Sequence, residues 1–195
     1  MPDWTIVIPV KGTPSAKSRL GGPGDLRAAR ARAIALDTVE VAVSVAPVIV
    51  VTSGQHSADF EALGAAIIPE VGAGLAAAIQ TGINSLPASA SVAVLLGDLP
   101  ALVADELRAA LDAAAAHDLA FVPDREGTGT ALITALVGSD HAPAFGEGSA
   151  ARHAAAGYVE LELDPENGLR NDVDTSEQLA RLAGRTGPRT AALQS

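Results

Sequence analysis

The sequence predicts an α/β fold built on a mostly parallel, doubly wound sheet. Short runs rich in valine and isoleucine alternate with helical segments of about ten residues or more. Parallel strands need such helical crossovers, because a tight turn joins only antiparallel neighbours. Hydrophobic residues make up 48% of the 195 residues, enough for a sizeable core. We predict one domain over residues 1–184 and a flexible tail over residues 185–195, where no periodicity remains.

The first half of the chain contains four predicted strands, each followed by a predicted helix. The strands are predicted at residues 5–10, 47–52, 65–68 and 92–96, and the helices at residues 26–44, 58–63, 75–85 and 103–117. The first strand is a β-branched run of the kind that is buried on both faces of a sheet. The first helix carries an apolar stripe that includes Ile34, Val39 and Val43. This half therefore supplies the repeated strand–helix unit of the fold.

The second half continues the alternation with shorter elements. Strands are predicted at residues 119–122, 131–134 and 158–163, and helices at residues 149–156 and 175–184. The last helix opens on Thr175-Ser-Glu-Gln178, the pattern of a capping box. Ligands of doubly wound sheets bind beyond the carboxyl ends of the strands, so the loops after residues 10, 52 and 96 are the expected site.

Charge and composition exclude several classes of function. The chain has 13 Lys and Arg against 23 Asp and Glu, a net charge of -10, and only 3% aromatic residues, which argues against a nucleic-acid partner. The absence of cysteine excludes disulfides, thiolate nucleophiles and zinc ribbons. The longest apolar segments, residues 45–51 and 109–116, are too short to span a membrane, and no basic leader is present. We expect a cytoplasmic protein.

The first loop contains both lysines of the chain, Lys11 and Lys17, together with Arg19. In a protein of net charge -10 this loop is a local cluster of positive charge, and it predicts contacts with a polyphosphate such as a nucleoside triphosphate. The loop lacks the G-x-x-x-x-G-K-[ST] pattern of a P-loop. A solvated loop with incidental charges is the alternative interpretation.

Two acidic stretches are candidates for metal binding. Asp98 follows a buried strand directly, so its side chain is expected at the carboxyl end of that strand. Asp172 and Asp174 are separated by one residue, which in an extended segment directs both carboxylates to one side. If the two stretches meet, they form an oxygen-rich site suited to Mg²⁺. The alternatives are a turn residue for Asp98 and helix capping by Asp174 or Thr175.

A glycine-rich region precedes the helix at residues 149–156. Gly148 and Ser149 stand where that helix begins, so free amides and the Ser149 hydroxyl predict an anion pocket, to which Thr130 could add a donor. Simple N-capping by Ser149 is the alternative. The histidines lack metal-ligand spacing, and His153 is interpreted as a helix-surface residue rather than a phosphate contact.

Taken together, these motifs resemble the 2-phospho-L-lactate and phosphoenolpyruvate guanylyltransferase family (CofC/FbiD) of coenzyme F-420 biosynthesis. The resemblance spans residues 4–182. It is carried by Ile8-Pro-Val-Lys11, Ala16-Lys-Ser-Arg-Leu20, Leu96-Gly-Asp-Leu-Pro100, Gly127-Thr-Gly-Thr130, Phe145-Gly-Glu-Gly-Ser149, Ala151-Arg-His153 and Asn171-Asp-Val-Asp-Thr175. One departure is Ala76, which stands where relatives have asparagine after Gly-Leu.

The resemblance implies a glycosyltransferase-A-like nucleotidyltransferase fold and assigns roles to particular residues. Lys11, Lys17, Arg19 and Gly74 are implied to contact GTP, and Thr130, Gly146 and Ser149 to bind the phosphorylated acid. Asp98, with Asp172 or Asp174, is implied to hold Mg²⁺, and Lys11, Lys17 and Asp98 are the implied catalytic residues.

The implied reaction is transfer of GMP from GTP to phosphoenolpyruvate or 2-phospho-L-lactate, with release of pyrophosphate. The sequence does not distinguish these acids from 3-phosphoglycerate, and it leaves the oligomeric state open. Alternatives are a molybdenum-cofactor or sugar-phosphate nucleotidyltransferase on the same scaffold, and a non-catalytic GTP sensor.

Overall fold

The computed structural model describes residues 2–10, 20–54, 56–71 and 74–194. Its strands are β1 (Trp4–Val10), β2 (Val48–Thr52), β3 (Ala66–Pro69), β4 (Ser91–Leu95), β5 (Leu119–Pro123), β6 (Thr130–Ala135) and β7 (Val159–Glu160). Its helices are α1 (Gly24–Val43), α2 (Ser57–Ala62), α3 (Leu75–Asn84), α4 (Ala104–Ala114), α5 (Ser149–Ala155), α6 (Ser176–Arg181) and α7 (Pro188–Ala191), with a 3-10 turn at Gly168–Arg170.

The strands form one sheet in the order β3-β2-β1-β4-β6-β5-β7. β1 pairs in parallel with both β2 and β4, and the parallel pairing continues from β2 to β3 and from β5 to β7. Among the strands of the described residues, only β6 runs the other way, antiparallel to β4 and to β5. The predicted mostly parallel α/β sheet is therefore confirmed.

The reversed strand β6 follows from the length of the loop before it. Residues 124–129 join β5 to β6, and such a loop is too short for the helical crossover that parallel neighbours need. The antiparallel register pairs Leu95 of β4 with Leu132, and the Leu96 amide donates to the carbonyl of Ala131 at 3.0 Å. Thr130, the first residue of β6, therefore lies at the carboxyl end of β4.

The core fills both faces of the sheet. In β1, Ile6 and Ile8 face one cluster, which contains apolar side chains of α1, α2 and α4. Val7, between them, faces a second cluster, which contains residues of α3 and α5. Each of these three side chains is fully buried. Alternation along a strand that is covered on both sides explains why the sequence of β1 is apolar at successive positions.

Gly82 allows α3 to approach the sheet closely. A Cβ atom at this position would lie 2.4 Å from Val7 Cγ1 and 3.0 Å from Val51 Cγ2. Real Cβ atoms do not come this close to their neighbours, so any larger residue would push α3 away from β1 and β2. The small residue is therefore required by packing.

The C-terminal residues pack against α1, which differs from the flexible tail expected from the sequence. Asp37, which is 4% exposed, accepts hydrogen bonds from the amides of Arg189 (3.3 Å) and Thr190 (2.8 Å), and its carboxylate pairs with the Arg189 side chain (3.2 Å). The Gly187 amide donates to the carbonyl of Pro100 at 2.8 Å. Polar side-chain contacts hold this segment, and such contacts leave no apolar periodicity in the sequence.

The other predicted strands and helices are present, with small shifts at their ends. The largest difference is β7, which has two residues where the sequence predicted residues 158–163. Within the described part of the chain, no helix combines the length and the apolar character that a membrane crossing requires.

Candidate active site

Asp98 lies in the turn that follows β4, beside the end of β1. A Cβ atom placed on its neighbour Gly97 would lie 3.3 Å from both Ile8 Cγ2 and Val10 Cγ2, so the backbone of the turn is in close contact with β1. The Asp98 residue is half-buried. Its position at the carboxyl edge of two central parallel strands is the one predicted from the sequence.

Two hydrogen bonds to its backbone hold this turn, one from Val173 and one from α1. The Asp98 carbonyl accepts from the Val173 amide at 3.0 Å. The Leu99 amide donates to the buried Thr38 Oγ1 of α1 at 3.1 Å, and the Thr38 hydroxyl donates to the carbonyl of Ile34 at 2.9 Å. The first bond brings together the two acidic stretches that the sequence placed far apart.

Asp172 and Asp174 flank the fully buried side chain of Val173. Asp172 is half-buried and Asp174 is exposed. The cap of α6 is Thr175, whose Oγ1 accepts from the Gln178 amide at 3.1 Å while Gln178 Oε1 accepts from the Thr175 amide at 2.9 Å. The predicted capping box is therefore confirmed. Capping is done by Thr175 rather than by the Asp174 carboxylate.

The positively charged loop, with Lys11, Lys17 and Arg19, lies outside the described residues. The described residues on either side of it are Val10, at the end of β1, and Leu20. Leu20 is fully buried and belongs to the same small apolar cluster as Val173. The described chain on both sides of this loop therefore lies next to the two acidic stretches.

A further acidic group was not predicted from the sequence. Among the described residues, Asp124, Glu126 and Asp172 place carboxylate oxygens within 4.8 Å of one another, so they could hold a metal ion. Both oxygens of Asp124 also accept amides of its own loop, from Thr128 at 2.9 Å and from Gly129 at 2.7 Å. Asp124 therefore also fixes the shape of the β5–β6 loop. The antiparallel β5–β6 hairpin brings this loop to the edge of the sheet that carries Asp98, Asp172 and Asp174, which we call the acidic edge.

Thr130, Ser149 and His153 form a buried hydrogen-bonded trio. Ser149 Oγ lies 3.0 Å from Thr130 Oγ1, and His153 Nδ1 lies 2.9 Å from the same Thr130 oxygen. Thr130 is 4% exposed, and Ser149 and His153 are fully buried. The trio joins the first residue of β6 to the first turn of α5. It therefore confirms that Thr130 and Ser149 lie together.

The start of α5 differs in detail from the prediction. Gly148 is the cap residue, with no side-chain capping bond, and Ser149 is the first residue of the helix. Interpreting Ser149 as a simple N-cap is therefore wrong. The Ser149 amide donates to the Gly146 carbonyl at 3.0 Å, and the Ala150 amide to the Thr128 carbonyl at 3.1 Å. These two amides are already used within the protein, whereas the hydroxyl groups of Thr130 and Ser149 are candidate donors for an anion.

The loop before α5 is held by Arg152. Its guanidinium donates to the carbonyls of Ala144 (2.8 and 3.1 Å), Glu147 (2.6 Å) and Phe145 (3.4 Å). Gly146, in the middle of this loop, has φ 114°, a conformation that side chains disfavour. The loop is thus fixed in shape, and Gly146 leaves backbone exposed beside Ser149.

His153 was interpreted as a helix-surface residue, and this interpretation is wrong. Its ring is packed among the rings of Phe145, Tyr158 and Phe121, with centroid distances of 5.2, 5.3 and 6.2 Å. Burial lowers the pKa of His153 to about 4, and the charge of Arg152 acts in the same direction. Around neutral pH the ring is therefore uncharged. A single buried histidine in an alanine-rich helix leaves no periodic signal in the sequence.

Gly74, the residue implied to contact GTP, is the cap residue of α3 and has φ 97°. Among the described residues, leaving out its two chain neighbours, no atom lies within 4 Å of a Cβ atom placed at Gly74. A cavity of about 160 Å³ lies between the first turns of α3 and the loop before α5. Its lining is Leu75, Ala76, Ile79, Pro143, Ala144, Phe145 and Arg152.

Solved structures share this fold. A putative nucleotide-diphospho-sugar transferase from Desulfovibrio desulfuricans matches with a TM-score of 0.68 and 19% identity, over 99% of this chain and 94% of that chain. The protein Rv0371c from Mycobacterium tuberculosis matches with a TM-score of 0.65 and 22% identity, over 93% of this chain and 97% of its own. The nucleotidyltransferase-like fold implied by the sequence motifs is therefore confirmed.

Sequence relatives identify the family. The chain is 45% identical to the phosphoenolpyruvate guanylyltransferase of Streptomyces coelicolor, over 97% of this chain and 95% of that protein. It is 46% identical to the enzyme of the same name from Thermomonospora curvata, over 97% of this chain and 88% of that protein. The family model described as "Guanylyl transferase CofC like" matches residues 4–155. The chain therefore belongs to the CofC-like guanylyl transferase family.

Proposed function

We propose that the protein transfers GMP from GTP to phosphoenolpyruvate. The observation that carries this proposal is the similarity to relatives named phosphoenolpyruvate guanylyltransferase, which extends over 97% of the chain. The product is enolpyruvyl-diphospho-guanosine, as expected for coenzyme F-420 biosynthesis. We also propose that the reaction takes place in the cytoplasm, where both substrates are metabolites.

The chemistry is a direct displacement at phosphorus. A phosphate oxygen of phosphoenolpyruvate attacks the α-phosphorus of GTP, a new P–O bond forms, and the bond to the bridging oxygen of the β-phosphate breaks. Pyrophosphate leaves with that electron pair. Because two anions have to approach each other, positioning and charge neutralisation supply most of the catalysis.

The acidic edge suits a divalent cation, for which we propose Mg²⁺ held by Asp98 with Asp172 or Asp174. The hydrogen bond from Val173 to the Asp98 carbonyl supports this choice, because it holds the two stretches side by side. Carboxylate oxygens are the ligands that Mg²⁺ prefers, and the bound ion would neutralise charge on the phosphates. Asp172 also belongs to the acidic group with Asp124 and Glu126, so it is common to both candidate ligand sets.

We assign Lys11, Lys17 and Arg19 to the triphosphate and Gly74 to the nucleotide. The neighbours of the lysine loop support the first assignment, since Val10 lies beside Gly97 and Leu20 packs with Val173. The position of Gly74 at the start of α3, with φ 97°, supports the second. Lys11 and Lys17 would offset charge on the departing pyrophosphate.

We assign Thr130, Gly146 and Ser149 to the phosphorylated acid. The buried hydroxyl pair at 3.0 Å and the open backbone at Gly146 support a small anionic ligand there. We propose phosphoenolpyruvate rather than 2-phospho-L-lactate as the substrate, because the relatives are named phosphoenolpyruvate guanylyltransferases.

The test is incubation of the purified protein with GTP, Mg²⁺ and each candidate acid, followed by pyrophosphate assay and mass spectrometry. We expect pyrophosphate release with phosphoenolpyruvate and the mass of its guanylylated product. A larger yield with 2-phospho-L-lactate or 3-phosphoglycerate would change the assigned acid. Tight GTP binding with no pyrophosphate from any acid would instead indicate a nucleotide sensor.

A further inference from the structure

Thr130, Gly146 and Ser149 form the proposed pocket for the phosphorylated acid, which we call the acid pocket. His153 contacts the hydroxyl pair of this pocket from inside the protein. Its Nδ1 atom lies 2.9 Å from Thr130 Oγ1, and its Nε2 atom accepts the amide of Ala144 at 2.9 Å. The ring, which is carried by α5, is fully buried. It therefore links Thr130 to the backbone of the loop that precedes α5.

The Ala144 amide determines where the proton of the neutral ring is. A backbone N–H can only donate, so Nε2 has to be the unprotonated, accepting nitrogen. In a neutral imidazole the other nitrogen carries the hydrogen. His153 is therefore an Nδ1–H tautomer, and its N–H donates to Thr130 Oγ1.

This tautomer determines how many hydrogen atoms remain for a ligand. The trio contains three polar hydrogen atoms: one on His153 Nδ1 and one on each hydroxyl of Thr130 and Ser149. Two are used in the bonds His153–Thr130 and Thr130–Ser149. One hydroxyl hydrogen is left to donate outside the trio, whichever way the Thr130–Ser149 bond runs. With the other tautomer, Thr130 would donate to His153, Ser149 to Thr130, and none would be left.

We propose that His153 is a positioning residue that makes the Thr130–Ser149 pair a hydrogen-bond donor toward the anionic acid substrate. This inference rests on the proposed function, because it takes the substrate of the pair to be phosphoenolpyruvate. An anion accepts hydrogen bonds and donates none, so a pair without a hydrogen to give would repel it.

The ring contacts keep His153 in this state. Phe145, Phe121 and Tyr158 surround the imidazole and fix its plane. The same burial disfavours the imidazolium, in which both nitrogens would donate and the Ala144 amide would lose its acceptor.

The experiment compares two substitutions by steady-state kinetics with both substrates. His153→Leu removes both nitrogens, whereas His153→Asn keeps an N–H donor near the position of Nδ1. We expect His153→Leu to raise KM for phosphoenolpyruvate roughly 10-fold or more, with KM for GTP changed less than about twofold. His153→Asn is expected to recover most of this loss. Equal rises in both KM values, or no recovery with asparagine, would overturn the proposal.

A double-mutant cycle tests whether His153 acts through the hydroxyl pair. In a Ser149→Ala background the His153→Leu change is expected to add less than about twofold to KM for phosphoenolpyruvate. A full additive effect would contradict the proposed connection. If wild type turns over and Ser149→Ala raises KM while His153→Leu does not, the inference alone fails. If wild type makes no pyrophosphate with any acid, the proposed function fails.

The tautomer can be measured in the unaltered protein, which keeps the proposal testable even if His153→Leu does not fold. Nitrogen-15 spectra of the four histidine rings, assigned with His153→Asn, are expected to show a neutral His153 protonated on Nδ1. A neutral ring protonated on Nε2 would overturn the proposal.

Discussion

The acidic edge and the acid pocket lie on one end of the sheet, and they are built from opposite kinds of contact. At the acidic edge, half-buried or exposed carboxylates are held in place through backbone hydrogen bonds, such as Val173 to Asp98. In the acid pocket, the buried neutral side chains of Thr130, Ser149 and His153 bind one another. In the proposed function, the charged region would hold the cation and the neutral donors would bind the anion. Substitutions in the two regions should therefore change different kinetic constants.

The largest expected effect comes from Asp98→Asn, which removes one charge from the acidic edge. We expect kcat to fall roughly 100- to 1000-fold, because charge stabilisation of the transferring phosphoryl group is weakened. The melting temperature should stay close to that of wild type. Pyrophosphate release at saturating Mg²⁺ measures the effect.

Asp105→Asn is the matched control for Asp98→Asn, since the Asp105 side chain is 97% exposed at the start of α4. It should leave kcat unchanged. Near wild-type turnover in Asp98→Asn would rule out the metal assignment.

In the acid pocket, Ser149→Ala should act on binding instead. We expect KM for phosphoenolpyruvate to rise roughly 10-fold, because a hydrogen bond to a charged ligand is lost, while KM for GTP stays constant. Initial rates over a matrix of both substrate concentrations separate the two constants. Ser89→Ala, an exposed serine elsewhere on the surface, is the control. A rise confined to KM for GTP would reverse the assignment of the two regions.

Thr38→Val tests the support of the acidic edge from α1. It keeps the volume but leaves the buried amide of Leu99 without its acceptor, so we expect a loss of about 1–3 kcal/mol in the free energy of unfolding. Urea denaturation measures it. Thr81→Val, which removes only a bond within α3, should cost less. Equal costs for the two variants would show that the Thr38 contact adds nothing to the turn.

The pH dependence of stability tests the neutral state of His153. The unfolded chain protonates His153 near pH 6.5, but the folded protein resists protonation down to a pKa of about 4. Between these values the unfolded state binds more protons, so stability falls as the pH falls, by up to about 1.4 kcal/mol per pH unit. Above pH 6.5 the group contributes nothing.

Urea midpoints of wild type and His153→Asn across pH 4–8 measure this contribution. Arg152 stays charged, and burial also lowers the pKa of the neighbouring His141, so their contributions should be similar in both proteins. The variant should therefore lose less stability on acidification. Parallel curves would contradict the proposed neutral state of His153.

The two regions also differ in how far the sequence predicts them. Asp98 was predicted because a buried strand followed by Gly-Asp is a local pattern, and the structure places the backbone of Val173 beside that of Asp98. The burial of His153 depends on ring contacts with Phe145, Tyr158 and the more distant Phe121, and the periodicity of the helix does not record these contacts. The reversed direction of β6 can be explained by the six-residue loop before it, which is too short for a helical crossover. That reversal is what brings Thr130 to the edge of the sheet.

Asp37 and Thr38, consecutive in α1, connect the C-terminus to the turn that carries Asp98. Asp37 binds the amides of Arg189 and Thr190, while Thr38 binds Leu99. Gly187 adds a direct bond to Pro100. A shortened protein that ends before Gly187 would lose these contacts, so we expect truncation to impair turnover from a distance. Fusion partners and affinity tags are therefore best attached with residues up to Thr190 intact.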